Sequence, residues 1–393
     1  MAEHVTLQST GLEALLSRRA LLKRGAGAAA IATLAGNALP TEAPAAPAGT
    51  AADSTDLTPR NAIQTVLDAM DRFPLVAIAE RHFLQEWHDY ITALLFHPSF
   101  AGKVTHIAVE FGNAQFQDVA DRFILGDKPV ARDELAQIWR YLGWDAPVYE
   151  QFFRTVRAVN WMQPPSRRVR VLLGNPPYDA SKVRSSNDAG FRQWWNETID
   201  AYFAAIVEQE VLRKGGRALL IAGSGHVLRG IHRDGDGAHL DAGAMLAQQH
   251  PGKLFVVDNL VLPSGPQKDA AGTRLQAAVA HWPRPSIALL RGTWLGALTQ
   301  MVDDTWINWG AQRAINAAAA RYEAQADAIL YLGPAEALSA SQADPAIFHW
   351  GAYPAQLRRL NPIVSQIDRQ QEDLIAESLH WATAGPGWFS LFS

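Results

Sequence analysis

The sequence predicts an α/β fold in which helices flank a mostly parallel central sheet. Three observations support this prediction: short apolar runs recur, helix-length amphipathic stretches separate them, and no repeat of fixed period is visible. Runs that are apolar on both faces suit strands buried between helical layers, as parallel sheets require. The predicted strands are Leu75–Ala79, Ile107–Glu110, Val169–Leu173, Ala218–Ala222, Leu254–Val257 and Ile287–Leu290.

Helical periodicity fills the stretches between these strands. Leu84, Trp87 and Ile91 recur with the spacing of one helix face, and residues 148–159 show the same pattern. A long helix rich in aromatic residues is predicted over 191–212. Each helix thus has an apolar face that can cover the sheet.

The first 36 residues form a predicted export signal. The paired Arg18 and Arg19 precede a weakly apolar run of Ala and Gly over 25–36, which is the order of regions in a signal peptide. The string SRRALLK resembles the twin-arginine type, with Leu21 where that motif prefers Phe. An ordinary amphipathic helix is the alternative, but capping residues are absent. We therefore expect the twin-arginine machinery to export the chain to the periplasm.

The next segment, 37–58, is rich in Ala, Pro, Thr and Gly and has no apolar periodicity. Such a composition cannot bury a core, so we expect a disordered linker. Residues 59–393 are then predicted to form a single α/β domain whose C-terminal part, from about residue 294, is helical. No later stretch is apolar for the roughly 18 residues that a membrane span needs, so we expect no span in the mature chain.

The composition excludes several classes of function. Lys and Arg total 35 against 39 Asp and Glu, for a net charge of −4 and no basic stripe, so no nucleic-acid partner is expected. The chain has no cysteine, which excludes disulfides, iron–sulfur clusters and cysteine nucleophiles. Any metal ion must therefore be held by His, Asp, Glu or carbonyl oxygen.

Polar and ionisable side chains follow four of the predicted strands. Ligands of an open parallel sheet bind outside the carboxyl ends of its strands, so these residues are the candidates for a site. They are Glu80, Arg81, His82 and His88 after the first strand, Glu110 at the end of the second, Asn175 and Tyr178 after the third, and His226 and Arg229 after the fourth.

Each of these residues alone also has a structural explanation. A carboxylate at a helix start complements the helix dipole, and His88 borders an apolar stripe where a half-buried structural histidine is equally expected. Together, however, two His and two Glu on three strand ends are the ligand set of a divalent metal site without cysteine, or of a general-base site.

Three other motifs fail on inspection. The glycines of AGSGHVLRG do not follow the spacing of a dinucleotide-binding loop. Ser224 lacks both flanking glycines of a serine-hydrolase elbow, since Ala222 and His226 occupy those positions. The string HRDGDGAH lacks the terminal Glu of a calcium loop and is explained as a polar turn.

The strand-end residues resemble those of the erythromycin esterase, ChaN-like, TraB and Tiki superfamily. Its members carry G-E-x-H or G-x-x-H after the first strand, an acid on the second, and G-x-x-H after a later strand. Here the first motif is Ala79–His82, with Ala in place of Gly, and Gly223–His226 matches the last one intact. Glu110 corresponds to the acid. The spacing of Glu80 and His82 is more similar to the haem-binding ChaN-like branch.

The resemblance spans about residues 70–300 and implies two functions for the same pocket. The first is hydrolysis of an ester, lactone or amide by water that a divalent ion (Mn or Zn) or a histidine activates. The second is binding of haem or another tetrapyrrole, and a catalytically silent structural protein is a third alternative. The catalytic or metal-binding residues would be Glu80, His82, Glu110 and His226. The substrate-binding residues would be Arg81, His88, Asn175, Tyr178 and Arg229.

Export can be tested by replacing both Arg18 and Arg19 with Lys. The twin-arginine motif is an address that a receptor recognises, so we expect the double variant to accumulate as precursor in the cytoplasm. Cell fractionation followed by immunoblotting measures this. Normal periplasmic appearance of the double variant would contradict the twin-arginine assignment.

Overall fold

The structure is a computed structural model that describes most of the chain between residues 55 and 341. The described residues are 55–139, 144, 146–177, 179, 199–232, 239–262, 267, 269–299, 310 and 312–341. The predicted export signal over 1–36 lies outside them, as does the predicted linker up to residue 54.

The described residues contain eight strands and ten α-helices. The strands are β1 (Arg60–Asn61), β2 (Leu75–Glu80), β3 (His106–Asn113), β4 (Arg170–Asn175), β5 (Ala218–Gly223), β6 (Leu254–Leu260), β7 (Ser286–Leu289) and β8 (Ala328–Tyr331). The helices are α1 (Ala62–Arg72), α2 (Gln85–Phe96), α3 (Gln117–Leu125), α4 (Arg132–Ala136), α5 (Pro147–Trp161), α6 (Ile199–Ile206), α7 (Ser224–Val227), α8 (Ala242–Gln249), α9 (Ala270–Val279) and α10 (Tyr322–Gln325).

The strands form one sheet in the order β1-β7-β8-β6-β2-β5-β3-β4. Strand β2 pairs in parallel with β5 and β6, β3 pairs in parallel with β4 and β5, and β6 pairs in parallel with β8. Strand β7 is antiparallel to both β1 and β8. The α/β fold with a mostly parallel sheet is therefore confirmed.

All six predicted strands are present, as β2 to β7. Strand β8 was not predicted, and it lies in the C-terminal part that the sequence predicts to be helical. The Ala-rich segment before it, 317–327, favours helix by composition. Tertiary packing overrides this preference, because the four buried residues of β8 pair with β6 on one side and β7 on the other.

The predicted helical faces are also present. Trp87 and Ile91 are buried on α2, and α5 begins at Pro147, a position where proline suits a helix start. Of the helix predicted over 191–212, the described part comprises α6 and a π-helical turn over Val207–Val211. No helix in the described part of the chain is long and apolar enough to cross a bilayer.

Helices cover both faces of the sheet. The main hydrophobic core packs side chains of α1 to α5 against alternate residues of the strands, such as Val76 and Ile78 on β2. Helices α6, α7 and α8 contact β4, β5 and β6, and none of their side chains belongs to this core. They therefore lie on the opposite face, and the sheet is buried on both sides.

The described chain already packs against the segment that follows β7 before residue 59, where the sequence predicts that the domain begins. The amide of Thr55 donates to the carbonyl of Gly292 at 3.0 Å, and the amide of Trp294 donates to the carbonyl of Thr55 at 3.2 Å. Leu57 is buried. The last four residues of the predicted linker thus belong to the domain.

Candidate functional site

The carboxyl ends of β2, β5 and β3 meet at one edge of the sheet, because β5 lies between the other two strands. Glu80 ends β2, Glu110 lies in β3, and Gly223 ends β5 directly before α7, which carries His226. Glu80 and Gly223 are paired in the register of β2 and β5. The structure therefore brings together the predicted residues Glu80, His82, Glu110 and His226.

Glu80 is a buried carboxylate surrounded by three polar side chains. The hydroxyl of Tyr149 donates to its Oε1 at 3.0 Å, and Nε2 of His88 lies 3.4 Å from the same oxygen. Nδ1 of His82 lies 3.5 Å from Oε2. Burial disfavours the charged form, but His82 and His88 lower the pKa of Glu80 below its ordinary value. Glu80 is therefore an anion at neutral pH.

Strand alternation explains why these partners reach Glu80. Side chains two residues apart share one face of a strand, so Glu80 continues the face of Val76 and Ile78. That face packs against α2 and α5. His88 lies on the buried face of α2, and Tyr149 lies in the first turn of α5. The same packing that buries the apolar residues thus delivers both polar partners.

His82 is the partly exposed member of the cluster, with 27% of its side chain accessible. Its ring contacts Trp144 edge-on, with 4.5 Å between ring centroids. A Cβ at position 223 would lie only 3.1 Å from Nε2 of His82, so Gly223 allows the imidazole to lie against β5. Burial lowers the pKa of His82, but Glu80 and Glu110 outweigh this effect and raise it.

Glu110 is held from two sides at the end of β3. The amide of Gly223 donates to its Oε2 at 2.7 Å, and Nε2 of His226 lies 3.3 Å from Oε1. Burial alone would raise the pKa of Glu110, but His226, His82 and the Gly223 amide lower it strongly. The carboxylate is therefore charged at neutral pH.

His226 lies between two carboxylates. Its Nδ1 is 2.7 Å from Oδ1 of Asp200, which also accepts from the amide of Ala242 at 3.1 Å, and its Nε2 faces Glu110. Burial disfavours the imidazolium, yet Asp200 and Glu110 raise the pKa of His226 to about 10. The site thus contains a positively charged histidine at neutral pH.

Glu80, His82 and Glu110 could also hold a divalent metal ion. One ligand atom from each lies within 4.8 Å of the other two. Oε2 of Glu80 and Nδ1 of His82 are buried and make no hydrogen bond, and a cation would satisfy both. Carboxylate and imidazole donors suit manganese or zinc. The residues present therefore fit such an ion.

Two residues predicted to bind substrate lie against this cluster. His88 is buried and faces Glu80, and its ring is enclosed by Trp87 and Tyr149. Asn175 is buried and donates to the main-chain carbonyl of Glu110. The contacts of His88 and Asn175 in this structure are therefore with the two glutamates of the cluster.

The arginines lie elsewhere. Arg81 interacts electrostatically with the buried Asp258, and burial, partly offset by that carboxylate, lowers the pKa of Arg81 to about 10. The guanidinium of Arg229 donates to Asp327 at 2.6 Å and to the carbonyl of Leu254 at 3.1 Å. The structure therefore does not bring Arg229 to the cluster. Tyr178 lies outside the described residues.

Sequence reasoning missed Tyr149, Asp200 and Trp144. Tyr149 lies on the apolar stripe of α5, where an aromatic residue predicts only core packing. Asp200 offers a weak signal, since it is a lone acid next to Ile199 in a strongly apolar helix. All three contact residues that are far away along the chain, and local periodicity does not record such contacts.

Comparisons with known proteins find similarity in the fold. No protein-family model matches the chain, and no curated protein matches it. A solved Bacillus cereus protein has 11% identity and a TM-score of 0.45, covering 74% of this chain and 97% of that one. A mutant of the erythromycin esterase EreC in its open conformation has 10% identity and a TM-score of 0.44, covering 68% and 92%.

A third solved structure, cofacial haem binding to ChaN of Campylobacter jejuni, has 15% identity and a TM-score of 0.32, covering 51% of this chain and 86% of that chain. The similar structures thus include an erythromycin esterase and a ChaN protein.

The charge of His226 can be tested with Asp200→Asn. The raised pKa of His226 means that its protonation stabilises the fold. This stabilisation is complete at pH values below about 6.5, the pKa of histidine in the unfolded chain, and it is lost as pH rises through about 10. Removing the Asp200 carboxylate lowers the pKa of His226. The free energy of unfolding should therefore fall less between these pH values in the variant than in the wild type, by on the order of 1–2 kcal/mol. Urea denaturation at several pH values measures it.

The matched control for this prediction is Asp68→Asn, at an exposed position on α1. This control should keep the pH dependence of the wild type. If Asp200→Asn also keeps it, Asp200 does not hold the charge on His226.

Proposed function

We propose that this chain hydrolyses an ester, lactone or amide at the cluster of Glu80, His82, Glu110 and His226. The observation that carries the proposal is the combination of a partly exposed histidine, His82, with two buried carboxylates and a second, charged histidine at the carboxyl edge of the sheet. Such an arrangement offers a base that solvent can reach and charges that are fixed in place before substrate binds.

His82 is the base in this proposal. Glu80 faces Nδ1 of His82, so a proton on Nδ1 leaves Nε2 as the basic nitrogen. A water molecule gives its proton to His82 while its oxygen bonds to the substrate carbonyl carbon. The bond from that carbon to the leaving oxygen or nitrogen then breaks, and the leaving atom takes the proton from His82.

His226 supplies a positive charge beside the reacting carbonyl. Because Asp200 and Glu110 raise its pKa to about 10, the imidazolium persists at neutral pH. A fixed cation stabilises the negative charge that develops on the carbonyl oxygen, and it does so without reorganising during the reaction. Asp200 and Glu110 in turn hold the ring in place.

A divalent ion held by Glu80, His82 and Glu110 is the second way to activate water at the same place. Such an ion supplies Lewis acidity and lowers the pKa of water. The two forms of the proposal differ in one measurable respect, because a chelator abolishes activity only if the ion is required.

Binding of a tetrapyrrole is the alternative function. His88 is enclosed by aromatic rings and faces Glu80, and the hydroxyl of Tyr149 is engaged with Glu80, so neither offers an open axial position. Of His82, His88 and Tyr149, His82 alone has a partly exposed side chain. The engaged His88 and Tyr149 therefore favour the hydrolase over tetrapyrrole binding. We further propose that the hydrolase acts in the periplasm.

The variants His226→Ala and Glu110→Gln test the hydrolase proposal. Each removes a charge from the cluster, so we expect hydrolysis to fall by at least about 100-fold. The substrates are a panel of aryl esters, lactones and short peptides, each with added Mn²⁺ or Zn²⁺ and with a chelator. The control His281→Ala removes an exposed histidine and should retain full activity.

Two outcomes would contradict the proposal. One is a wild-type protein that is inactive on every substrate while both variants lose stability by about 1–3 kcal/mol, which indicates a structural cluster. The other is a purified protein with a Soret absorption band that His82→Ala abolishes, which indicates haem binding.

A further inference from the structure

The hydroxyl of Tyr149 contacts the site both as a hydrogen-bond donor and as an acceptor. Its O–H donates to Oε1 of Glu80 at 3.0 Å, and its oxygen accepts from the amide of Phe83 at 3.3 Å. Glu80 and Phe83 flank His82 in the chain. A single buried side chain on α5 therefore touches the chain on both sides of the proposed base.

Phe83 has an unusual backbone conformation. It is the one described residue other than glycine with a positive φ, at +61°. A residue with a Cβ adopts this left-handed conformation at a cost in energy, and it persists where surrounding contacts enforce it. This conformation turns the chain between the end of β2 at Glu80 and the start of α2 at Gln85. The hydrogen bond from Phe83 to Tyr149 is one such enforcing contact.

The ring of Tyr149 supports the same turn by packing. Its centroid lies 5.6 Å from the ring of Phe83 at an interplanar angle of 88°, and 5.3 Å from the ring of Trp144. Trp144 in turn contacts the ring of His82 at 4.5 Å. The turn is thus held by packing and by hydrogen bonding from the same side chain.

We propose that Tyr149 is a positioning residue of the site, whose hydroxyl fixes the Glu80 carboxylate and the left-handed turn that places His82. Because Tyr149 occupies Oε1 of Glu80, Oε2 is left facing Nδ1 of His82. The role in catalysis rests on the proposed hydrolase function, whereas the role in holding the turn does not.

The hydroxyl of Tyr149 is protonated at neutral pH. Burial and the nearby Glu80 carboxylate raise the pKa of the hydroxyl well above its ordinary value. The hydroxyl therefore donates to Glu80, and its oxygen lone pairs accept from the Phe83 amide.

The variant Tyr149→Phe tests this inference, because it removes the hydroxyl and keeps the ring. We expect kcat to fall by about 10- to 100-fold while KM changes by less than about two-fold, since the base is misplaced and substrate binding is not. Amide hydrogen exchange, followed by NMR in the same full-length protein, should show the Phe83 amide exchanging at least about ten-fold faster.

Tyr322→Phe is the matched control. Tyr322 is also buried, and its hydroxyl also donates to a buried carboxylate, that of Asp258 at 2.7 Å, but it contacts neither Glu80 nor Phe83 through that bond. This control should leave kcat and the exchange of the Phe83 amide unchanged. Equal effects in the two variants would overturn the proposal, because they would indicate a general loosening of the sheet edge.

The remaining outcomes separate this inference from the proposed function. An unchanged exchange rate of the Phe83 amide in Tyr149→Phe overturns the positioning role whatever the activity. Faster exchange in a protein that hydrolyses no substrate supports the hold on the turn and overturns the hydrolase proposal.

Discussion

The arrangement at the sheet edge depends on one constraint, the burial of the Glu80 carboxylate at the end of β2. A carboxylate removed from water costs several kcal/mol unless its charge and lone pairs find partners. Here the partners are His82, His88 and Tyr149, which come from the following turn, from α2 and from α5. The positions of two helices and one strained turn are therefore linked to a single charged group, and the residue best placed for chemistry, His82, belongs to that turn.

The second carboxylate extends this unit across the sheet. Because β5 lies between β2 and β3, Glu110 reaches the amide of Gly223 and the ring of His226, while Gly223 leaves room for His82. His82 lowers the pKa of Glu110, and Glu110 in turn raises the pKa of His82. Two acid–histidine pairs thus form one electrostatic cluster, because His82 interacts with both Glu80 and Glu110.

Sequence patterns predicted the parts of this architecture that repeat locally. Six strands followed from apolar runs, and Glu80, Glu110 and His226 followed from their places at strand ends, because parallel strands share one carboxyl edge. Strand β8 was missed, since its four residues follow an Ala-rich segment and are defined by their neighbours β6 and β7. Tyr149 and Asp200 were missed for a related reason: their partners lie 69 and 26 residues away along the chain, and helix periodicity cannot indicate them.

The central claim is that both acid–histidine pairs act as one unit, and a double-mutant cycle between His82→Ala and Glu110→Gln tests it most directly. The free energy of unfolding of each single variant and of the double variant gives the coupling energy, without a substrate or a metal ion. The account predicts a coupling of about 1–3 kcal/mol, because each residue contributes to the pKa of the other. Additivity within about 0.5 kcal/mol would mean that the pairs are independent, and it would contradict the account.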